Sequence, residues 1–286
     1  MGAQPWLVYA LVTTLCWGVW GAFIELPEKK GFPATLGYVV WSLTMVPCAA
    51  VALALVGWVP EHDLRAVALG AAAGLLGAAG QLVLFEALRR GPAYLVFPVV
   101  SLSPVVSVVL SVALLRETAS GRAWTGILLA LVAIPLLSWQ PPDPAGRRRP
   151  LWLALALLVF LGWGVQAYVL RFANAHMSSE SLFFYLMLTA VLLAPFAVRM
   201  TDFSKPINYG WSGPGLAAAV QALNAVGALM MVYAFRYGKV IIVSPMINAL
   251  APCLTIVISL LLYRVLPNRV VATGMALAAV AFYLMA

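Results

Sequence analysis

The chain has 286 residues, of which 64% are hydrophobic and 9% charged, with a formal net charge of +8 and a mean hydropathy of +1.00. A soluble domain is roughly 25% charged, so charge this sparse excludes a water-covered surface on a protein of this size. The 17 basic residues sit singly, in pairs or in threes between apolar segments, which is the pattern of membrane topology signals and not a nucleic-acid footprint.

A bilayer-spanning helix needs about 20 mostly apolar residues, and ten segments meet that need in chain order. The first, 6–25, carries Trp17 and Trp20 on one helical face and ends at Glu25. No Lys or Arg precedes Lys29, so the basic start of a signal peptide is missing and this segment is expected to stay as a helix. The second, 34–57, contains Trp41; the third, 65–88, contains a glycine run (Gly70, Gly74, Gly77, Gly80), then Gln81 and Glu86. The fourth, 93–115, holds Pro98, Ser101 and Pro104, and the fifth is 122–139. After "QPPDPAGRRRP" at 140–150 come a sixth segment, 151–171, with Trp163 and Gln166, and a seventh, 178–199, with Tyr185. The eighth, 211–235, carries Gln221 and Asn224; the ninth, 239–263, carries Pro245, Asn248 and Pro252; the tenth is 267–286. No run alternates apolar and polar residues as a membrane barrel strand does. The expectation is an all-α integral membrane protein of ten transmembrane helices.

The segments repeat. At an offset of 147, residues 77–98 match 224–245 at 8 of 22 positions, including Gly80/Gly227, Arg89/Arg236, Gly91/Gly238 and Pro98/Pro245. Beyond the first proline the offset is 148, pairing Pro104/Pro252, Arg116/Arg264 and Gly126/Gly274, while "WGV" at 17–19 recurs at 163–165. Apolar composition produces chance Leu and Val matches but not ordered Gly, Pro and Arg pairs. The reading is two five-helix units, 1–139 and 151–286, joined by the linker 140–150. An odd number of helices makes the second copy enter the membrane from the opposite side, and inverted repeats are a recurring design of secondary transporters.

"FEALRRGPAYLVFPVVSLSPVVSVVLSVALLRE" and "VYAFRYGKVIIVSPMINALAPCLTIVISLLLYR" resemble the two copies of the EamA domain in the drug/metabolite transporter superfamily. The second copy departs from the first where Val265 stands in place of the acidic Glu117. The resemblance implies a ten-helix carrier for metabolites such as amino acids, sugars, nucleotide-linked compounds or amines.

A proline removes a helical hydrogen bond and kinks the helix. Pro98 and Pro104 free the carbonyls of Tyr94 and Val100, and Pro245 and Pro252 those of Ile241 and Asn248. Discontinuous helices at matching places in two halves point to a binding site near the midplane, so these four prolines are candidate hinges; kinks that only shape packing are the alternative. Polar side chains in a span usually face protein or water. Gln221 and Asn224 share a face of the eighth segment with Ala228, and their counterparts are Gly74, Gly77 and Gln81. Trp17 and Trp20 have Trp163 and Gln166 as counterparts. Tryptophans mixed with amides suit a sugar ring or an aromatic or cationic metabolite; interhelical hydrogen bonding and packing are the structural alternatives. Trp41, Tyr185, Ser101 and Asn248 complete the substrate-binding set. Glu25 and Glu86 are candidates for proton or cation coupling, although Lys29 and the pair Arg89 and Arg90 stand three or four residues on, as ordinary helix-end ion pairs do.

Lys and Arg number 11 in the loops away from the termini and 6 in those facing them, which by the positive-inside rule places the termini outside; the resemblance implies cytoplasmic termini in many members. Cys16, Cys48 and Cys253 lie far apart in apolar segments and His62 and His176 in loops, so no disulfide framework, metal site or cofactor is expected. With no His in a span and no HExxH-like cluster, an enzyme is not expected. The expected function is alternating-access transport of a small polar metabolite (a sugar, nucleoside, amino acid or amine) across a cell membrane, such as a bacterial inner membrane, by a monomer or homodimer. A flippase for a lipid-linked substrate and a non-transporting receptor are the alternatives.

Overall fold

A computed structural model describes residues 4–139, 151–264 and 266–286, with the side chains of Tyr94 and Tyr263 left aside. The linker at 140–150 and its arginines therefore lie outside the described residues. Among the described residues the secondary structure is helical throughout: α1 (Pro5–Phe23), the short α2 (Glu25–Lys29), α3 (Ala34–Ala54), α4 (Leu64–Arg90), α5 (Ala93–Ser101), α6 (Ser103–Leu114), α7 (Gly121–Leu137), α8 (Trp152–Asn174), α9 (Ser179–Arg199), α10 (Leu216–Tyr237, preceded by a π-helical turn at Trp211–Gly215), α11 (Val240–Tyr263) and α12 (Arg269–Met285).

Among the described residues, eight helical stretches are long and apolar enough to cross a membrane. Against the expectation of ten full spans, α7 and α12 are shorter apolar helices of 17 residues each, about 25 Å long against a hydrocarbon core of about 30 Å. They pack on one another, with Gly126 against Met285 and Gly274 against Leu136. Their starts are built alike: Ser120 caps α7 through the Ala123 N–H at 3.2 Å, and Asn268 caps α12 through the Val271 N–H at 2.9 Å. Each side chain satisfies one of the N–H groups that a helix start leaves unpaired.

Matched residues also take matched backbone. Arg116, after α6, has φ 53°, and Arg264, ending α11, has φ 55°. The left-handed region costs a non-glycine residue about 1–2 kcal/mol, so the same strain in two unrelated chain ends would be a coincidence.

The halves are folded into each other. α1 lies against α10 and α11, while α8 lies against α4 and α6. Gly18 on α1 faces Leu254 of α11, and its counterpart Gly164 on α8 faces Val106 of α6. α3 and α4 both pack on α9, and α3 also packs on α10. The chain ends alternate between two faces. One, here the terminal face, carries the start of α1, the α6–α7 and α10–α11 loops and the end of α12. The opposite face carries the α2–α3 corner, the end of α4 and the α9–α10 loop.

The prolines act differently in the two halves. The α5–α6 stretch breaks at Leu102 (ψ 0°), between Pro98 and Pro104, whereas α11 runs unbroken through Pro245 and Pro252. At about 100° per residue, six residues set Pro98 and Pro104 roughly 120° apart around the axis, so their bends diverge. Seven residues bring Pro245 and Pro252 within about 20°, and those bends add into one curve. Side chains take up carbonyls along these stretches: Ser101 Oγ donates to the Pro98 carbonyl at 3.0 Å, Ser107 Oγ to that of Pro104 at 2.9 Å, and Asn248 Nδ2 to that of Ser244 at 2.9 Å. Ser107 and Ser244 also join α6 to α11 through a 2.9 Å hydrogen bond.

Candidate functional site

Gly37, Trp41 and Thr44 stand four and three residues apart on α3, which puts them on one face, and that face meets α10. A Cβ on Gly37 would lie 3.7 Å from Gln221 Nε2. Thr44 Oγ1 donates to its own helix at the Trp41 carbonyl (2.8 Å), with the Gln221 carbonyl within reach of the same proton at 3.3 Å. From α1, Trp20 donates its indole N–H to Gln221 Oε1 at 3.1 Å, and Asn224 Nδ2 reaches the same oxygen at 3.3 Å. Gln221 is 7% exposed, so its amide oxygen is held by two donors and the amide is fixed in orientation. Trp20, Trp41, Gln221 and Asn224 thus form one group between α1, α3 and α10.

Within that group the Trp41 indole nitrogen is buried and has no hydrogen-bond partner. Its ring meets Tyr38 edge-on at 5.3 Å, and the Tyr38 hydroxyl is already engaged with the Ala190 carbonyl at 3.3 Å. A buried donor without an acceptor costs about 1–3 kcal/mol, a cost that a bound acceptor would remove.

Trp17 and Trp163, the other two candidate tryptophans, bind helix to helix. Trp17 Nε1 donates to the Asn224 carbonyl at 3.4 Å, and its counterpart Trp163 Nε1 donates to the Gly77 carbonyl at 3.3 Å; Asn224 and Gly77 are themselves counterparts. Gln166 Nε2 donates to the Ala73 carbonyl at 3.1 Å, and Gly77 leaves room for that amide. Trp163, Gln166, Gly77 and Gly80 form a second group, between α4 and α8, in which the interhelical alternative describes the contacts. Gln81 is half-buried on α4.

Other expected residues stand elsewhere. Tyr185 is buried with its ring against Gly70, and its hydroxyl donates to the Glu61 carbonyl at 2.6 Å, so it ties α9 to the α3–α4 loop. Ser101 and Asn248, a matched pair, hold the carbonyls of their own bent helices. Glu25 is 72% exposed and pairs with Lys29 at 2.8 Å. Glu86, near the end of α4, pairs with Arg90 at 2.6 Å and Arg89 at 3.7 Å. Both acids stand at helix ends in ordinary ion pairs.

Among the described residues an open cleft lies on each face, and neither is bordered by Trp20 or Trp41. The cleft on the terminal face, about 450 Å³, is bordered by Trp6, Arg122, Tyr237 and Lys239. The cleft on the opposite face, about 490 Å³, is bordered by Glu28, Thr35, Phe85, Arg89, Asp202 and Lys205. Hydrogen bonds from the Ser204 hydroxyl and N–H, with Lys205 and Arg89 nearby, hold the Asp202 carboxyl below its usual range.

Three features escaped the sequence reading. Glu117, read only as a family mark, has a side chain 8% exposed, accepts the Ile241 N–H at the start of α11 (3.1 Å) and faces Arg171 at 3.7 Å. Asn174 is 1% exposed and donates to the Val232 carbonyl at 3.0 Å. Tyr233 donates to Glu180 at 2.6 Å and stacks on Tyr9 at 5.2 Å. A lone Asn or Glu at a span end has no periodic signature, so only the fold shows these partners. Among the described residues no group of three or more His, Cys, Asp or Glu is placed to hold a metal ion, and Cys16, Cys48 and Cys253 are free thiols.

A model of the EamA-like transporter family matches twice, over residues 4–139 and 150–286. An uncharacterized protein of Methanocaldococcus jannaschii is 41% identical over 59 residues, 21% of this chain; the match spans 43% of that relative's length. A solved crystal structure of a protein superposes with a TM-score of 0.76, covering 97% of this chain and 95% of its own at 17% identity, a likeness of fold.

Proposed function

Because this chain belongs to the EamA-like transporter family and is a multi-pass membrane protein of apolar helices, we propose that it moves a small polar metabolite across a cell membrane by alternating access. Its halves are inverted repeats of five spans each, with α7 and α12 as the short fifth spans. The family is one of transporters.

The substrate sits between α1, α3 and α10, against Trp20, Trp41, Gln221 and Asn224. The observation that carries this is the Trp41 indole N–H, buried and unpaired on the α3 face from which Gly37 and Thr44 meet Gln221. The groups offered there are neutral donors and aromatic faces, which suit a sugar, a nucleoside, a zwitterionic amino acid or an amine with a polar oxygen. The α5–α6 break and the curve of α11 line the pathway and act as its hinges. Glu25 and Glu86 are exposed or half-exposed helix-end acids, and any proton or cation coupling through them acts at the mouth of the pathway.

The test is counterflow in liposomes holding the purified protein, with a panel of labelled sugars, nucleosides, amino acids and amines. Exchange of one class, lost in Trp41→Phe and Asn224→Ala variants that fold normally, supports both carrier and site. Exchange untouched in both variants removes the site, and a panel without exchange turns the search to lipid-linked cargo.

A further inference from the structure

The cleft on the opposite face has a counterpart made of matching residues, and the two are in different states. Leu88 and Arg89, at the end of α4, border the open cleft; 147 residues on, Phe235 and Arg236 end α10. Glu28 and Gly31, at the α2–α3 corner, border the same cleft; 146 residues on, Asn174 and Met177 form the α8–α9 corner.

On the terminal face the end of α10 is shut onto the α8–α9 corner, and the open cleft of that face lies to the side, between the α6–α7 and α10–α11 loops. Phe235 is 2%, Asn174 1% and Met177 4% exposed. Arg236 donates to the carbonyls of Asn174 and, at 2.9 Å, Met177. The Asn174 side chain donates to Val232 and accepts from Ser179 at 2.7 Å, and Tyr233 donates to Glu180 one helical turn away. These bonds draw the end of α10 onto the α8–α9 corner. On the opposite face the same elements stand around about 490 Å³ of space. Glu28 and Gly31 are exposed there. Arg89 is 49% exposed, turned to the Met200 carbonyl at 2.7 Å and to Glu86.

We infer that these are one gate in its two positions: Arg236 latches the terminal face shut on the Asn174 and Met177 carbonyls, and Arg89 is the matching latch, released. This rests on the carrier reading of the two halves. When the halves exchange arrangements, Arg89 turns from Met200 to the carbonyls of Glu28 and Gly31, and the Glu28 carboxylate, standing where Asn174 stands, adds an ion pair to that latch. Arg236 then lets go and the terminal face opens. Two arginines, one per half, set the balance between the two states.

The experiment reads thiol alkylation rates in membranes, in a chain whose native cysteines are replaced by alanine. Leu88→Cys reports the opposite face and Met177→Cys the terminal face. With both arginines present, the reporter at 88 reacts fast and that at 177 slowly. Arg236→Gln loses charge-assisted bonds that together move the two-state balance at least about tenfold: the rate at 177 rises by about that factor, and the rate at 88 falls by the small share of molecules that switch. Adding Arg89→Gln restores both rates, because it removes the competing latch. Rates that rise together at both reporters and are not restored show a loosened fold, and they overturn the gate. So does a rise at 177 that Arg89→Gln does not reverse, or no change at either; restoration and not the fall at 88 is the criterion, since a tenfold shift away from a dominant state lowers its own reporter only slightly. Counterflow tests the carrier separately: reciprocal rates without solute exchange sink the carrier reading and leave the paired latches standing.

Discussion

The indole of Trp163 lies directly over Gly80, where an added Cβ would stand 2.5 Å from the ring nitrogen, and Trp17 lies the same way over Gly227, at 2.5 Å from its Cδ1. Each tryptophan comes from the first helix of one half and each glycine from the third helix of the other. The glycine matters here for close approach: only a residue without a side chain lets the indole reach the backbone carbonyl three residues back on α4 or α10.

Gly80→Ala and Gly227→Ala should therefore destabilise the protein to a similar extent, by about 1–3 kcal/mol each as in overpacked cores. A stiff indole cannot swing away as a flexible chain end would. Thermal unfolding in detergent checks this; a midpoint unchanged in both variants would show that the helices separate freely there.

Trp41→Phe should separate stability from binding. It removes a buried donor that has no partner, so stability holds or rises, while substrate affinity falls by roughly tenfold if the lost bond is worth about 1.4 kcal/mol. Thermal midpoints with and without ligand report both quantities. A drop in stability with no change in affinity would make Trp41 a packing residue.

Glu117→Gln should cost about 1–2 kcal/mol, because a nearly buried carboxylate would leave Arg171 and the start of α11 with a neutral partner. Glu25→Gln, at an exposed pair, should be neutral within experimental error. The comparison is made on detergent melting curves, and equal effects would refute the ranking.

Pro104→Ala and Pro245→Ala should change transport turnover more than substrate affinity, Pro104→Ala more strongly, because it restores an N–H where the α5–α6 stretch is broken. Initial rates against substrate concentration check it. A change confined to KM would argue that the bend shapes the site and does not hinge.

What was readable from sequence was periodic or repeated. Apolar length exposed the spans, and Gly, Pro and Arg at fixed offsets exposed the halves, because helix crossings, bends and chain reversals each demand one residue type at one place. Gln221 and Asn224 could be paired on one face because i and i+3 fix direction along a helix. The spacing of Pro98 and Pro104 differs by one residue from that of Pro245 and Pro252, yet the azimuth that follows from it, and so the break in one half alone, was not drawn from the strings. Tyr185, placed in the substrate-binding set from its position in a span, shows why side-chain partners are not legible: a tyrosine there looks the same whether its hydroxyl meets a solute or the Glu61 carbonyl 124 residues away. Partners set by tertiary packing leave no trace in local pattern.

The crossed halves also bear on how the protein is made. The Trp17 indole finds its acceptor on a residue 207 positions later, and α1 packs chiefly on helices of the second half. At synthesis rates of about 5–20 residues per second, α1 waits on the order of 10–40 seconds for α10. Through that interval the nascent chain holds helices whose polar edges and glycine grooves face lipid, and biogenesis depends on whatever escorts them until the last third of the chain arrives.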